Sequence, residues 1–340
     1  MRTAEHPREV LLGAQAGRAL IPLCDHYSGV ESRMRKSLRL QAELTEEFGS
    51  CVFDVSLDCE DGAPVGGEAE HAAMVTELAL TAAPGARVAV RVHPVNHPAF
   101  EADVAYIAGR AGNRLCHIML PKVEGVDDLK RASAALTAAG ASHLPLHALI
   151  ESPAAVQNAF EIAAYPGVQS LSFGLMDFVS AHGGAIPAAA MGSQGQFTHP
   201  LVARAKLEIA SACHAHGKAP SHCVVTEFND VQALKAAVNR AAYEFGYTRM
   251  WSIHPAQIRP ILEAFAPTQD EIEISVNIIA AAALAQWGPI SYAGQLHDRA
   301  SYRYYWQVLE RAKRTGQDLP TTVQPWFQDA ALPILNPVAS

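Results

Sequence analysis

Residues 115–151 read LCHIMLPKVEGVDDLKRASAALTAAGASHLPLHALIE, and this stretch contains one full repeat of the fold. It opens with an apolar run, 115–122, that is short enough for a buried strand and is stopped near its end by Pro121. Between 126 and 139 apolar residues recur at helical spacing, with alanine, the strongest helix former, filling the gaps. A second apolar run, 144–151, follows and ends on Glu151. Strand, helix and strand joined by short links make a βαβ unit, because parallel strands need a crossover of this length.

Working outward, the same rhythm recurs along most of the chain. Strand candidates lie at 18–25, 51–59, 87–93, 115–122, 144–151, 168–177, 219–227 and 249–254. Helical stretches fall between and after them, at 30–48, 68–82, 99–111, 126–139, 154–164, 200–216, 231–245 and 256–265. Eight such units predict an α/β fold, a (β/α)8 TIM barrel. Residues 178–199 are rich in Gly and Ala and read either as a mobile cover over a substrate or as solvent-exposed slack. Beyond 265 the pattern changes to two helices, 269–286 and 299–315, joined through a Gly/Pro-containing link, and then to a proline-bearing arm, 317–340. The expected division is a barrel domain at 1–267 and a C-terminal helical extension and arm at 268–340, packing on its own barrel or on a neighbouring subunit.

Composition narrows the partners. The 340 residues are 49% hydrophobic, enough for a sizeable core, and 26 basic against 34 acidic side chains give a net charge of −8 without long runs of either sign. Neither nucleic acid nor a membrane surface is favoured by such a balance. The apolar stretch 278–287 is too short to span a bilayer, and MRTAEHPREV lacks the apolar core of a signal peptide. The six cysteines form no CxxC pair and sit mostly in apolar runs, as reduced thiols of a cytoplasmic protein do.

Ionisable residues gather where the strand candidates end: Asp25, Glu60 with Asp61, Arg91 with His93, Lys122, Glu151, Asp177, Glu227 and His254. Barrel enzymes take their catalytic groups from those ends, although any one such residue is also what a solvated strand end displays. Together, so many carboxylates at one mouth call for a metal ion or an anionic ligand to organise them. Glu151 and Asp177 end successive strands and offer hard oxygen ligands suited to Mg2+, with Mn2+ as a substitute. His143, His147, His214 and His216 show no partner set for a softer metal. Arg91, emerging from RVAVRVHP, either pairs with Glu60 or Asp61 or forks onto a substrate carboxylate, and the second reading is favoured. Lys122 is capable of forming a Schiff base if desolvation lowers its pKa, but acidic neighbours oppose that and suggest charge balance instead.

The motifs LDCEDGAP, RVAVRVHP, IMLPKVEGVDDL, IESPAAV, SFGLMDF and SIHPAQI, in this order, resemble the citrate lyase β-subunit-like branch of the HpcH/HpaI aldolase superfamily over roughly residues 18–310. The resemblance implies a Mg2+-dependent barrel that breaks or makes carbon–carbon bonds in 2-oxo-acid or acyl-CoA substrates, as malyl-CoA and citramalyl-CoA lyases do. It places the metal ligands on Glu151 and Asp177, the substrate arginine on Arg91, an ordering acidic pair on Glu60 and Asp61, and the fourth strand's Pro-Lys on Pro121 and Lys122. It also implies a homo-oligomer, a trimer or hexamer, in which Asp298 of GQLHDRASYRYYWQVLERA enters a neighbouring subunit's site. The first strand, LIPLCDHY, lacks the family's common Pro-Gly turn, and His93 stands where relatives have asparagine. If a CoA thioester binds, Arg33, Arg35, Lys36 and Arg39 are the cations available for its phosphates, the other reading being a solvated helix face. Two different functions stay open: a metal-independent Schiff-base aldolase built on Lys122, and a non-catalytic barrel that only binds a ligand.

Overall fold

The structure, a computed structural model, describes residues 6–17 and 20–327. Arg18 and Ala19, where the first strand is expected to begin, and residues 328–340 of the expected arm lie outside the described residues. Eight parallel strands close on themselves in sequence order: β1 (Cys24–Ser28), β2 (Phe53–Asp58), β3 (Val88–Arg91), β4 (Leu115–Leu120), β5 (Leu146–Ile150), β6 (Val168–Phe173), β7 (Ala219–His222) and β8 (Arg249–Ser252). Cys24 sits opposite both Phe53 of β2 and Met250 of β8, which completes the barrel. A helix or helix pair follows each strand. Outward-facing residues such as Val55, Val90 and Ile118 are buried against that helical layer, each contributing roughly 1.5–3 kcal/mol.

Most strands are shorter than expected by a residue or two at one or both ends, β7 stops at His222 rather than at 227 and leaves Glu227 off the strand, and two further boundaries differ for a local reason. The first strand begins at Cys24 rather than at 18, because Pro22 has no N–H to give the ladder. Asp25 therefore stands near the start of β1, opposite Asp54 in register, and belongs to the barrel interior rather than its mouth. The sixth strand stops at Phe173, Gly174 turns the chain, and Asp177 falls in the first turn of helix Leu175–Ser180 instead of on the strand. Residues 178–199 are not slack: Ile186, Ala190, Gln196 and Phe197 are buried, and the segment forms the short helices Ala188–Met191 and Gly195–Thr198.

Inside the barrel, Met119, Leu149 and Trp251 from β4, β5 and β8 meet across the interior, with Tyr27 of β1 against them. Alternation along each strand then fixes what else points inward. Two residues earlier on the same strands lie His117, His147, Arg249 and Asp25, which with Asp54 and Arg87 form a second, charged layer nearer the strand starts.

By contacts the chain divides into a barrel unit, from Pro22 to Ala264, and a smaller unit made of the residues before and after it. The smaller unit packs helix Gln269–Leu284 on helix Arg299–Arg314, with a two-stranded antiparallel hairpin, β9 (Ile290–Tyr292) and β10 (Gln295–His297), between them in sequence. Ile272, Ile279, Tyr302, Trp306 and Leu309 form its core. The N-terminal segment, expected with the barrel, joins this unit: Arg8 of helix Pro7–Leu12 forms a buried ion pair with Glu310, whose other hydrogen bond comes from Trp306 Nε1 at 2.7 Å. Among the described residues no helix is long and apolar enough to cross a membrane.

Candidate active site

Register places the first pair of functional groups. Asp58, the last residue of β2, lies opposite Arg91, the last of β3. Arg91 Nε and Nη2 donate to the two Asp58 carboxylate oxygens at 2.5 and 2.8 Å, while Nη1 is 3.1 Å from Glu60 Oε2. The Tyr27 ring covers one face of the guanidinium at 4.7 Å, and Tyr27 itself stacks on Trp251. Burial disfavours the Asp58 anion, but its hydrogen bonds to Arg91 and the arginine's charge outweigh that and hold it below the usual carboxylate range.

Glu151 follows β5 directly and is buried. Its Oε2 accepts the backbone N–H of Lys122 at 2.8 Å. Burial and the neighbouring charge of Asp177 push its carboxyl up to about 7. Gly174 makes room for it, since a Cβ there would come within 2.3 Å of Glu151 Cγ and 2.5 Å of Oε1. Neither Glu151 nor Asp177 is in an ion pair among the described residues. Two hard carboxylates thus lie close enough for the charge of one to raise the other, with neither ion-paired among the described residues, a donor set that fits Mg2+.

Lys122 connects the two groups. Its backbone is left-handed, φ +52°, which is uncommon for a residue with a Cβ and turns its N–H toward Glu151. Its Nζ donates to Glu60 Oε1 at 2.5 Å and lies 3.5 Å from Asp61 Oδ1. Partial burial lowers the lysine's pKa, but the Glu60 hydrogen bond and the charges of Glu60, Asp61 and Asp177 exceed it, and the net shift is upward. An imine-forming lysine needs the opposite shift.

The structure thus brings Arg91, Glu60, Lys122, Glu151 and Asp177 together, with Asp61 at the exposed edge. Asp61 meets Lys122 and not Arg91. Among the other strand-end residues, His93 turns to Asp103 at 2.5 Å, Glu227 accepts the Ser193 N–H at 2.8 Å, and His254 is exposed and caps the turn that follows it. Arg33, Arg35, Lys36 and Arg39 are exposed on helix Glu31–Phe48, with Arg35 paired to Glu31 at 2.8 Å. Asp298 lies in the smaller unit, where it caps helix Arg299–Arg314 by accepting the Ala300 N–H at 2.9 Å. Asp58 and Tyr27 are absent from the sequence reading. The available signal was the period-two spacing of Asp54, Ser56 and Asp58 on one strand against Arg87, Ala89 and Arg91 on the next.

One histidine does have a partner set that the sequence hides. His147, His117 and Asp25 are all buried and place ligand atoms close together. They nevertheless make a poor metal centre. The imidazoles are stacked 3.5 Å apart and only 12° from parallel, so their in-plane lone pairs do not converge, and Arg249 already holds Asp25 at 2.8 Å.

Comparison with known proteins gives the family. Residues 40–255 match the model of the HpcH/HpaI aldolase/citrate lyase family. A crystal structure of a citrate lyase from Burkholderia xenovorans LB400 superposes with a TM-score of 0.81 at 50% identity, covering 95% of this chain and 100% of that one. The L-malyl-CoA/β-methylmalyl-CoA lyase of Cereibacter sphaeroides is 30% identical over 79% of this chain and 91% of its own. The fold is also that of protein CitE from Mycobacterium tuberculosis, solved with magnesium, acetoacetate and coenzyme A, at a TM-score of 0.63 and 21% identity over 86% of this chain and 98% of that one. A closed parallel barrel with these relatives defines a carbon–carbon lyase. The chain belongs to the HpcH/HpaI aldolase/citrate lyase family.

Proposed function

We propose that this protein is a Mg2+-dependent lyase that cleaves, or in reverse condenses, a β-hydroxy acid or its CoA thioester, with a small 2-oxo acid as one product. The observation that carries the reading is Glu151, buried beside Asp177 and raised to about 7 by that burial and that neighbour, with no cation among the described residues paired to either. These two residues would hold the ion, which when bound would supply positive charge beside the substrate's hydroxyl oxygen, electron-rich once its proton has left and before the carbon–carbon bond breaks. Lys122 N–H fixes Glu151 through Oε2 and turns Oε1 toward Gly174. Arg91, held by Asp58 and Glu60, presents its remaining Nη hydrogens to the carboxylate of the 2-oxo-acid fragment. Asp298 of a neighbouring subunit in a trimer or hexamer delivers the proton to the carbon left electron-rich by cleavage while the substrate hydroxyl's proton leaves to solvent, and both transfers reverse in condensation. Arg33, Arg35 and Lys36 meet the phosphates when the substrate carries CoA, and Mn2+ substitutes for Mg2+.

Removing either metal carboxylate tests the reading. Glu151→Ala and Asp177→Ala proteins are expected to lose Mg2+ binding by calorimetry and to lose turnover across a panel of CoA thioesters and free hydroxy acids. Full activity with unchanged metal affinity in either would sink the assignment. The upward shift at Lys122 weighs against the imine alternative, so borohydride with pyruvate is expected to leave no adduct on that residue.

A further inference from the structure

We propose that Asp58 is a positioning residue that sets which edge of Arg91 faces the substrate, and so selects ligands with a planar carboxylate presented end-on. The inference rests on the reading of Arg91 as the carboxylate clamp. Asp58 is fully buried and takes the side edge of the guanidinium, with Nε on one oxygen and Nη2 on the other. Glu60 Oε2 lies 3.1 Å from Nη1 as an ion pair, without a hydrogen bond. With the side edge taken by Asp58, the edge left to a ligand is the far end, where Nη1 and Nη2 each point one hydrogen outward as a fork. Tyr27 covers a face of the same guanidinium, which blocks rotation out of this plane.

Asp58 also builds the turn that carries Glu60. Its Oδ1 accepts the Glu60 backbone N–H at 3.0 Å and its Oδ2 the Gly62 N–H at 2.6 Å, and the Tyr27 hydroxyl hydrogen-bonds it as well. The cradle is closed tightly around this carboxylate. A Cβ on Gly62 would come within 2.5 Å of Asp58 Oδ2 and 2.0 Å of the Tyr27 hydroxyl oxygen. Arg91 is thus aimed from behind by a carboxylate that does not itself reach the ligand.

Oxalate, a planar dicarboxylate, titrated into the Mg2+-loaded protein is a suitable probe. Asp58→Asn keeps the shape but removes the charge and one acceptor, and is expected to weaken oxalate binding about 10- to 100-fold, as losing a charge-assisted hydrogen bond does. Its Mg2+ affinity should stay within about twofold of the parent, since the metal carboxylates are untouched. Gly62→Ala, which displaces Asp58 without removing it, should weaken oxalate in the same direction and decides the matter if Asp58→Asn does not fold. Chemical rescue separates aiming from mere support: guanidinium ion should restore oxalate binding to Arg91→Ala and fail to do so in Arg91→Ala/Asp58→Asn. Parent-like oxalate binding in folded Asp58→Asn, or equal rescue in both backgrounds, would overturn the proposal while leaving the clamp intact. Parent-like binding in Arg91→Ala would instead overturn the clamp reading beneath it.

Discussion

The barrel holds two clusters of charge, one above the other, and they are built on opposite principles. In the interior layer Arg87 and Arg249 meet Asp25 and Asp54, while His117 and His147 are kept neutral by burial, so every charge has its counterpart. At the mouth, among the described residues, Asp58, Glu60, Asp61, Glu151 and Asp177 face only Arg91 and Lys122. The interior layer matches two arginines with two aspartates. The unbalanced one has surplus negative charge and a glutamate that is pushed toward protonation when no cation is supplied. Surplus, more than polarity, distinguishes the candidate site from the structural layer beneath it.

Breaking the balanced layer should produce the largest effect. Arg249→Met leaves Asp25 and Asp54 buried with one cation fewer and is expected to cost about 3–5 kcal/mol in urea unfolding, and much of the soluble yield. A variant as stable as the parent would show that the interior charges are not a closed set. The same kind of change at the mouth should have the opposite sign. Glu151→Gln removes a carboxylate that burial disfavours, so the metal-free protein is expected to gain about 1–3 kcal/mol at pH 8 while activity falls by more than about 100-fold. A destabilised Glu151→Gln protein would mean that the mouth is balanced after all. A smaller effect is expected from Gly174→Ala, which keeps every charge and only crowds Glu151. Mg2+ affinity by calorimetry should drop about tenfold, with a stability cost near 1 kcal/mol.

The sequence displays much of this arrangement, and the parts it hides are those set by register. Eight strand runs and the helices between them are legible because each repeats a local period. Glu151, Arg91 and Lys122 are legible because each ends such a run in a recurring motif. Asp58 is hidden by its neighbours: LDCED offers Glu60 and Asp61 as natural partners for Arg91, and only the alignment of β2 with β3 gives the arginine to Asp58 first. Asp25 misleads for the reverse reason. It ends an apolar run in the sequence, but Pro22 delays β1 and puts Asp25 opposite Asp54, beneath the mouth. The pairing of Arg249 with both aspartates joins residues near the two ends of the barrel, and no local pattern announces it.

The finest test of the two layers is their response to acid, because their titrations have opposite signs. His147, buried and faced by Arg249, Arg87 and Asp54, is pushed down to about 3, and His117 is lowered for the same reason. In the unfolded chain these imidazoles take up protons near pH 6.5. Their contribution to stability is therefore complete above about pH 6.5 and is lost as the pH falls toward 3, at up to about 1.4 kcal/mol per unit for each group. Asp25, raised by burial, offsets part of that loss at the acid end. Glu151 works the other way: with its folded value near 7 against an ordinary 4.5, the metal-free folded protein binds that proton first and gains stability as the pH falls from 7 to 4.5. Between about pH 6.5 and 4.5 the two layers oppose each other: Glu151 cancels the loss from one of the two histidines, so the parent's stability should fall there at about half the rate of Glu151→Gln. In Glu151→Gln only the histidine limb remains, and urea midpoints should fall visibly across the same interval. Parallel curves for the two proteins would show that Glu151 carries no surplus, and the contrast between the layers would fail at the residue on which it chiefly depends.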